Sequence, residues 1–278
     1  MILNSVSFIP LISLYSPGSV AFNAFGWSIR WYGILIAVSF LLTYYIAEHL
    51  VVKNNLNQAY FNDLIFFILV SGIVFARLYF VVLSWDYFKF HTNEIPKIWH
   101  GGQSIHGGII GAVLAGLIYT KLKKISFYKY MDVIAVIAPL GQSIGRWGNF
   151  FNNEAFGLPC KNCLIKLFIP YEFRPDKFIN EHFFQPTFFY ESFMNMVIFV
   201  FLYKQYSQWT NKPGKIFWVY LLLYSLIRFF LEFLRIDSIY IFNLFPAPQI
   251  ISIIIILIST FNLGFLNNMK DQKVNEAK

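Results

Sequence analysis

The sequence predicts an all-α fold: a polytopic membrane helical bundle of about seven transmembrane helices with an outer-face loop region. Three observations carry this reading. Of 278 residues, 57% are hydrophobic and only 13% are charged, about half the charged share of a soluble domain. The apolar residues fall in blocks at about 31–52, 62–83, 104–121, 131–148, 187–206, 214–234 and 246–267, each near the ~20 residues that span a bilayer. The Lys residues collect in alternate links between those blocks, as membrane topology demands. Because the blocks recur along the whole chain, residues 1–278 read as one membrane-embedded domain.

Segment 1–29 contains no Lys or Arg, and Pro10, Pro17 and Gly18 interrupt its apolar residues. A cleavable signal peptide has a basic start and a clean apolar core, so none is read here and the segment is expected on the outer face. The first span ends at Lys53. The second carries Arg77, and the third opens on His106 within GGQSIHGGIIG. The fourth is weakened as a regular helix by Pro139, Gly141, Gly145 and Gly148. Irregular backbone at membrane depth is tolerated where it lines a cavity, which makes this stretch a candidate site wall. Residues 149–186 form an outer-face loop. In the sixth span Tyr224, Arg228 and Glu232 follow at four-residue spacing, which puts them on one helical face. After the seventh span comes a polar tail, 268–278.

Orientation follows from the basic residues near the span ends. One set of links carries Lys53, then Lys121, Lys123, Lys124 and Lys129, then Lys204, Lys212 and Lys215, with Lys270, Lys273 and Lys278 in the tail. The other set mixes fewer bases with Asp86, Glu94, Glu172, Asp176 and Glu181. The first set is expected in the cytoplasm, which places the N-terminus outside and the C-terminus inside. This distribution also accounts for the net charge of +8 without a nucleic-acid partner. Cys160 and Cys163 form the only CxxC. A zinc site needs about four ligands and there is no second pair. The cysteines therefore read as incidental, with a disulfide open to them in an exported loop.

Ionisable side chains inside spans cost roughly 2.5–3.5 kcal/mol each even on the lenient insertion scale, and mark functional sites by default. Each also has a plain structural reading. Arg228 and Glu232 suit an ion pair, Arg77 suits a brace for a neighbouring helix, and His106 suits a helix start beside glycines. Their number favours function: Arg77, Arg146 and Arg228 outnumber the acids near them, and unpaired charge is costly in a low dielectric. A lipid phosphate relieves that cost, because Arg presents a planar donor fork to phosphate oxygens. The run GRWGNFFNNEAFG, residues 145–157, adds Asn149, Asn152 and Glu154 beside Arg146. By its chemistry this is a polar cradle for an anionic headgroup. Two rival classes remain at this point. A transporter or flippase would hold an anionic lipid without chemistry, but paired halves with interrupted helices are not seen. A structural scaffold would have no use for buried His and Arg.

The same run fits the pattern Gly-Arg-x-Gly-Asn-Phe-x-Asn-x-Glu-x-x-Gly and resembles the prolipoprotein diacylglyceryl transferase family. RWYG at 30–33, ARLYF at 76–80, HGGIIG at 106–111, QPTFFYES at 185–192, YSLIRFFLEFLRIDS at 224–238 and PQIIS at 248–252 agree in order. The resemblance covers roughly residues 20–260. Gln185 stands where the family usually has His, so no proton-transfer role is assigned there, and Pro248 also departs from the usual residue.

The resemblance implies an enzyme of the bacterial plasma membrane. It moves the diacylglyceryl group of phosphatidylglycerol to the lipobox cysteine of a prolipoprotein signal peptide, and glycerol phosphate leaves. It implies His106 as general base, with Arg146 and Arg228 stabilising the leaving phosphate. Asn149 and Glu154 would orient the headgroup or hold Arg146, and Tyr224 and Glu232 would orient Arg228. Tyr32, Arg77 and Gly157 would complete the substrate cavity. Neither metal nor cofactor is called for. The partners are membrane lipids and the precursor peptide, and a monomer is expected because one chain can form the bundle.

Overall fold

The computed structural model describes residues 12–238, 240–241 and 244–276, and side chains as far as residue 266. Residues 1–11 of the N-terminal segment and 277–278 of the tail lie outside the described residues. In order the elements are β1 (Ile12–Tyr15), β2 (Val20–Ala24), β3 (Trp27–Arg30), α1 (Trp31–Lys53), α2 (Gln58–Leu83), the single turn α3 (Trp85–Phe88), α4 (Ile105–Leu122) and α5 (Phe127–Asn152). Then come β4 (Ile165–Phe168), β5 (Phe183–Phe184), α6 (Thr187–Trp209), α7 (Lys215–Leu231), β6 (Tyr240–Ile241), β7 (Phe245–Pro246) and α8 (Ala247–Glu276).

Among the described residues, the long helices coincide with the seven apolar blocks. Five of them, α1, α2, α4, α7 with its extension to Leu234, and α8 to Leu266, are both long and apolar enough to cross a membrane. Their outward faces are apolar: Leu41, Val82, Ile105, Leu257 and Phe261 all stand exposed. So much apolar surface marks contact with lipid or another membrane surface, and the chain is a helical polytopic membrane protein. Helices α5 and α6 are as long but less apolar. They carry Gln142, Arg146, Asn149, Glu191 and Asn195, and those side chains lower their hydropathy.

The fourth span departs from expectation. It is one continuous helix, α5, with Pro139 inside it. Proline removes one intrahelical donor, yet the helix persists. Gly141 and Gly148 serve as contact points for α1: the Ser39 hydroxyl donates to the Gly141 carbonyl at 3.3 Å, and the Tyr32 ring covers Gly148 so closely that a Cβ there would lie 2.2 Å from it.

The contacts divide the chain into two compact units, with boundaries inside α1 and α5. The first comprises 1–47 and 134–278. In it a three-stranded sheet runs β1-β4-β5, with β1 parallel to β4 and β4 antiparallel to β5. Phe150, Phe156, Leu167, Ile169, Phe184 and Phe188 form a buried core that joins this sheet to the ends of α5 and α6. The region between α5 and α6 is therefore folded, and it fixes where those helices end and begin. The second unit, 48–133, is built on α2 packed against α4. Gly107 and Gly111 let the two backbones approach: a Cβ on Gly107 would lie 2.4 Å from the Phe75 carbonyl oxygen, and one on Gly111 2.6 Å from that of Ser71.

Candidate active site

Reciprocal hydrogen bonds lock α5 to α6. The Ser143 hydroxyl donates to the Ser192 carbonyl at 2.8 Å and the Ser192 hydroxyl to the Ser143 carbonyl at 2.8 Å. The Trp147 indole N–H donates to Ser192 Oγ at 3.1 Å. This register sets Arg146 against Glu191, with Nη2 and Oε1 2.5 Å apart. Glu191 is 1% exposed, and its Oε1 meets the guanidinium outside ideal hydrogen-bond geometry. From α7, Tyr224 interacts electrostatically with Arg146.

One turn along α7 stands Arg228, whose Nη2 lies 2.8 Å from Glu232 Oε2. Glu232 is also buried. The other guanidinium nitrogen, Arg228 Nη1, is buried without a hydrogen-bond partner. Tyr224 interacts electrostatically with both guanidinium groups, so Arg146, Tyr224 and Arg228 form one cluster. Each Arg has a carboxylate of its own, and one donor remains open. The open donor, Arg228 Nη1, is buried and suits an anion.

Several other residues singled out in the sequence belong to the same unit. Asn149 Nδ2 and Asn152 Nδ2 donate to Glu154 Oε1 at 3.0 and 3.2 Å. Glu154 therefore organises the two amides, while Glu191 holds Arg146. The Gly157 N–H donates to the Gln185 carbonyl at 2.9 Å. A Cβ on Gly157 would lie 2.8 Å from the Leu234 carbonyl oxygen. Gly157 is thus a packing point where three chain segments meet, and Gln185 takes part through its backbone. Tyr32 lies against Gly148, two residues from Arg146. Cys160 and Cys163 are joined as a disulfide, with Cα atoms 5.8 Å apart, which replaces the incidental reading.

His106 and Arg77 belong to the second unit. His106 sits in the first turn of α4, exposed, with its ring centroid 6.4 Å from that of Tyr79. Arg77 is 6% exposed, and its guanidinium faces backbone carbonyls rather than a cavity. It donates to Glu94 at 2.7 Å, Ile95 at 2.9 Å, Gly101 at 2.6 Å and Gly102 at 2.8 Å, and lies over the rings of Phe80 and Phe88. Four of its five N–H donors are thereby engaged. These contacts fit the bracing role read from the sequence, with the 94–102 loop as the braced element.

Sequence reasoning missed Glu191. It lies in QPTFFYES, which drew attention only for Gln185. The available signal was an acid inside an otherwise apolar block, which needs a partner.

The prolipoprotein diacylglyceryl transferase family model matches residues 19–264. A phosphatidylglycerol–prolipoprotein diacylglyceryl transferase of Staphylococcus aureus is 42% identical over 241 residues, 86% of each chain. The Thermotoga maritima protein of that name is 39% identical over 254 residues, 91% of this chain and 86% of its own. The matched span contains every element of the Arg146–Tyr224–Arg228 cluster, and the chain belongs to the prolipoprotein diacylglyceryl transferase family.

Proposed function

We propose that this protein transfers the diacylglyceryl group of phosphatidylglycerol to the lipobox cysteine of prolipoproteins, in the plasma membrane of a bacterium. The observation that carries the reading is the pair of guanidinium groups around Tyr224, with Arg228 Nη1 buried and unpartnered. Such a donor, at membrane depth and beside a charge-neutral ion pair, favours a lipid phosphate over any neutral headgroup.

In the reaction the thiol loses its proton, because the thiolate is the nucleophile. His106 is the proposed base, since imidazole is the side chain that most often takes a proton in such steps. The sulfur attacks the diacylglyceryl carbon bonded to the phosphate oxygen. A C–S bond forms, the C–O bond breaks, and the electron pair leaves on glycerol phosphate. Arg146 and Arg228 stabilise that departing charge. Tyr224 and Glu232 orient Arg228, Glu191 orients Arg146, and Asn149 and Glu154 hold the rim where the headgroup enters. Tyr32 walls the cavity. The whole chain acts as one monomeric domain of seven spans, with the N-terminus outside and residues 268–278 in the cytoplasm.

The test incubates purified protein with phosphatidylglycerol and a lipobox peptide, followed by mass spectrometry. The expected result is a peptide gaining diacylglyceryl mass. A peptide of unchanged mass, where an active enzyme of the family succeeds in parallel, overturns the reading. Arg146→Ala should abolish turnover in protein that still inserts and folds. His106→Gln should lose roughly 10²–10⁴-fold, the usual contribution of a general base.

A further inference from the structure

Glu191 holds Arg146, yet the reaction proposed above requires Arg146 to meet a phosphate. Glu191 meets Arg146 at Nη2, and a phosphate that takes this nitrogen displaces the carboxylate from it. Glu191 is buried, so a displaced carboxylate needs a new donor within the protein.

The three helices of the site supply one. Gln142 precedes Arg146 by four residues on α5, Asn195 follows Glu191 by four on α6, and Tyr220 precedes Tyr224 by four on α7. Each step is one helical turn, about 5.4 Å, and residues so spaced are neighbours on a helix face. A second layer therefore repeats the first, with the charges replaced by amides. The layers match electrostatically as well: Gln142 interacts with Tyr220 as Arg146 does with Tyr224, and Gln142 Oε1 is itself buried without a hydrogen-bond partner. Glu191 interacts electrostatically with Tyr220 as well as with Tyr224, so its carboxylate lies near both layers. Asn195 is 0% exposed, and neither its Nδ2 nor its Oδ1 has a hydrogen-bond partner. A buried amide left unmet is costly and calls for an explanation. One turn further, the buried residues of α6 and α7 are Ile198 and Ile216, so the polar column stops at this layer.

We propose that Asn195 is the waiting donor for Glu191: when an anionic lipid phosphate takes Arg146, the Glu191 carboxylate moves one layer along α6 and accepts from Asn195 Nδ2. Asn195 is a positioning residue, acting on the lipid through Glu191. The exchange keeps the buried carboxylate beside a donor in both states, and it leaves Asn195 Nδ2 unmet only while the site is free of lipid. This rests on Arg146 as the phosphate-binding residue.

The test measures phosphatidylglycerol binding to the full-length protein in phosphatidylcholine nanodiscs by native mass spectrometry, with peptide transfer assayed separately. Asn195→Leu, similar in volume but without a donor, should weaken binding about tenfold, the loss of one hydrogen bond to a charged group. In a Glu191→Gln background the carboxylate charge is gone and no new donor is needed. There the same substitution should change binding by less than about twofold, a coupling that a packing role does not produce. Wild-type affinity in Asn195→Leu overturns the exchange, and so does an undiminished tenfold loss in the Glu191→Gln background. Should Asn195→Leu fail to fold, Asn195→Ala serves the same comparison, because it also removes the side-chain donor. Binding with the predicted coupling but without transfer by the wild type overturns the transferase reading and supports the exchange. Transfer without the coupling does the reverse.

Discussion

Arg146 shows how one side chain is made ready for a lipid anion. Its neighbours on α5, Ser143 and Trp147, are tied to Ser192, so the guanidinium does not depend on Glu191 alone for its position. The value of Glu191 is electrostatic. Removing one partner of a buried pair typically costs about 3–5 kcal/mol, because the other charge is left uncompensated. Both Glu191→Ala and Glu191→Gln should therefore lower thermal stability in detergent, Ala the more, because Gln loses the charge but keeps a polar group against Arg146. Equal melting temperatures for the two would show that the pair is not buried as described. Arg77 differs in kind, since its partners are four carbonyls and no acid. Lysine keeps the charge but offers three donors from a single point. Arg77→Lys should thus cost at least about 1.5–3 kcal/mol, the worth of one hydrogen bond to a charged group, with proteolysis first appearing in the 94–102 loop.

At the scale of elements, the α2–α4 pair depends on what its glycines lack. Gly107 and Gly111 stand four apart on α4, the small-xxx-small spacing that lets membrane helices approach closely, and Ser71 Oγ donates to the Gly111 carbonyl at 2.9 Å across the contact. A methyl group on Gly107 meets backbone oxygen, which has no rotamer by which to yield. Gly107→Ala should cost about 1–3 kcal/mol, as overpacking usually does, measured by thermal unfolding. Gly145→Ala is the matched control, because a Cβ there meets nothing within 4 Å. The loop that Arg77 braces follows a similar rule. Gly101 and Gly102 adopt φ of +83° and +70°, a region glycine enters without steric penalty, and this backbone turns both carbonyls onto the guanidinium. That loop leads directly into the first turn of α4, where His106 sits.

For the whole molecule, lysine distribution and helix placement lead to one topological expectation. Reporter fusions at Lys124, in the link between α4 and α5, and at Lys166, in β4, should report opposite sides of the membrane, cytoplasmic and external respectively. The same side for both would remove the proposed orientation. An external β4 also suits the Cys160–Cys163 disulfide two residues before that strand, since disulfides persist in oxidising surroundings.

Much of this architecture was legible in the chain because its determinants are local. Span positions follow from runs of apolar side chains, and the N-terminal boundaries of α1, α4 and α6 lie within a residue of those runs. The Tyr224–Arg228–Glu232 face follows from helical spacing alone, and the 145–157 motif identifies itself by residue types in fixed order. Pairings between helices were not legible. The sequence by itself determined a polytopic helical membrane protein with an arginine-centred polar cluster. Only the tertiary structure decided that Glu191 rather than Glu154 faces Arg146, that Arg77 turns to loop carbonyls, and that Pro139 does not break α5. The reason is physical: a helix dictates which of its own residues share a face, but which face meets which neighbour is set by packing among residues far apart in the chain.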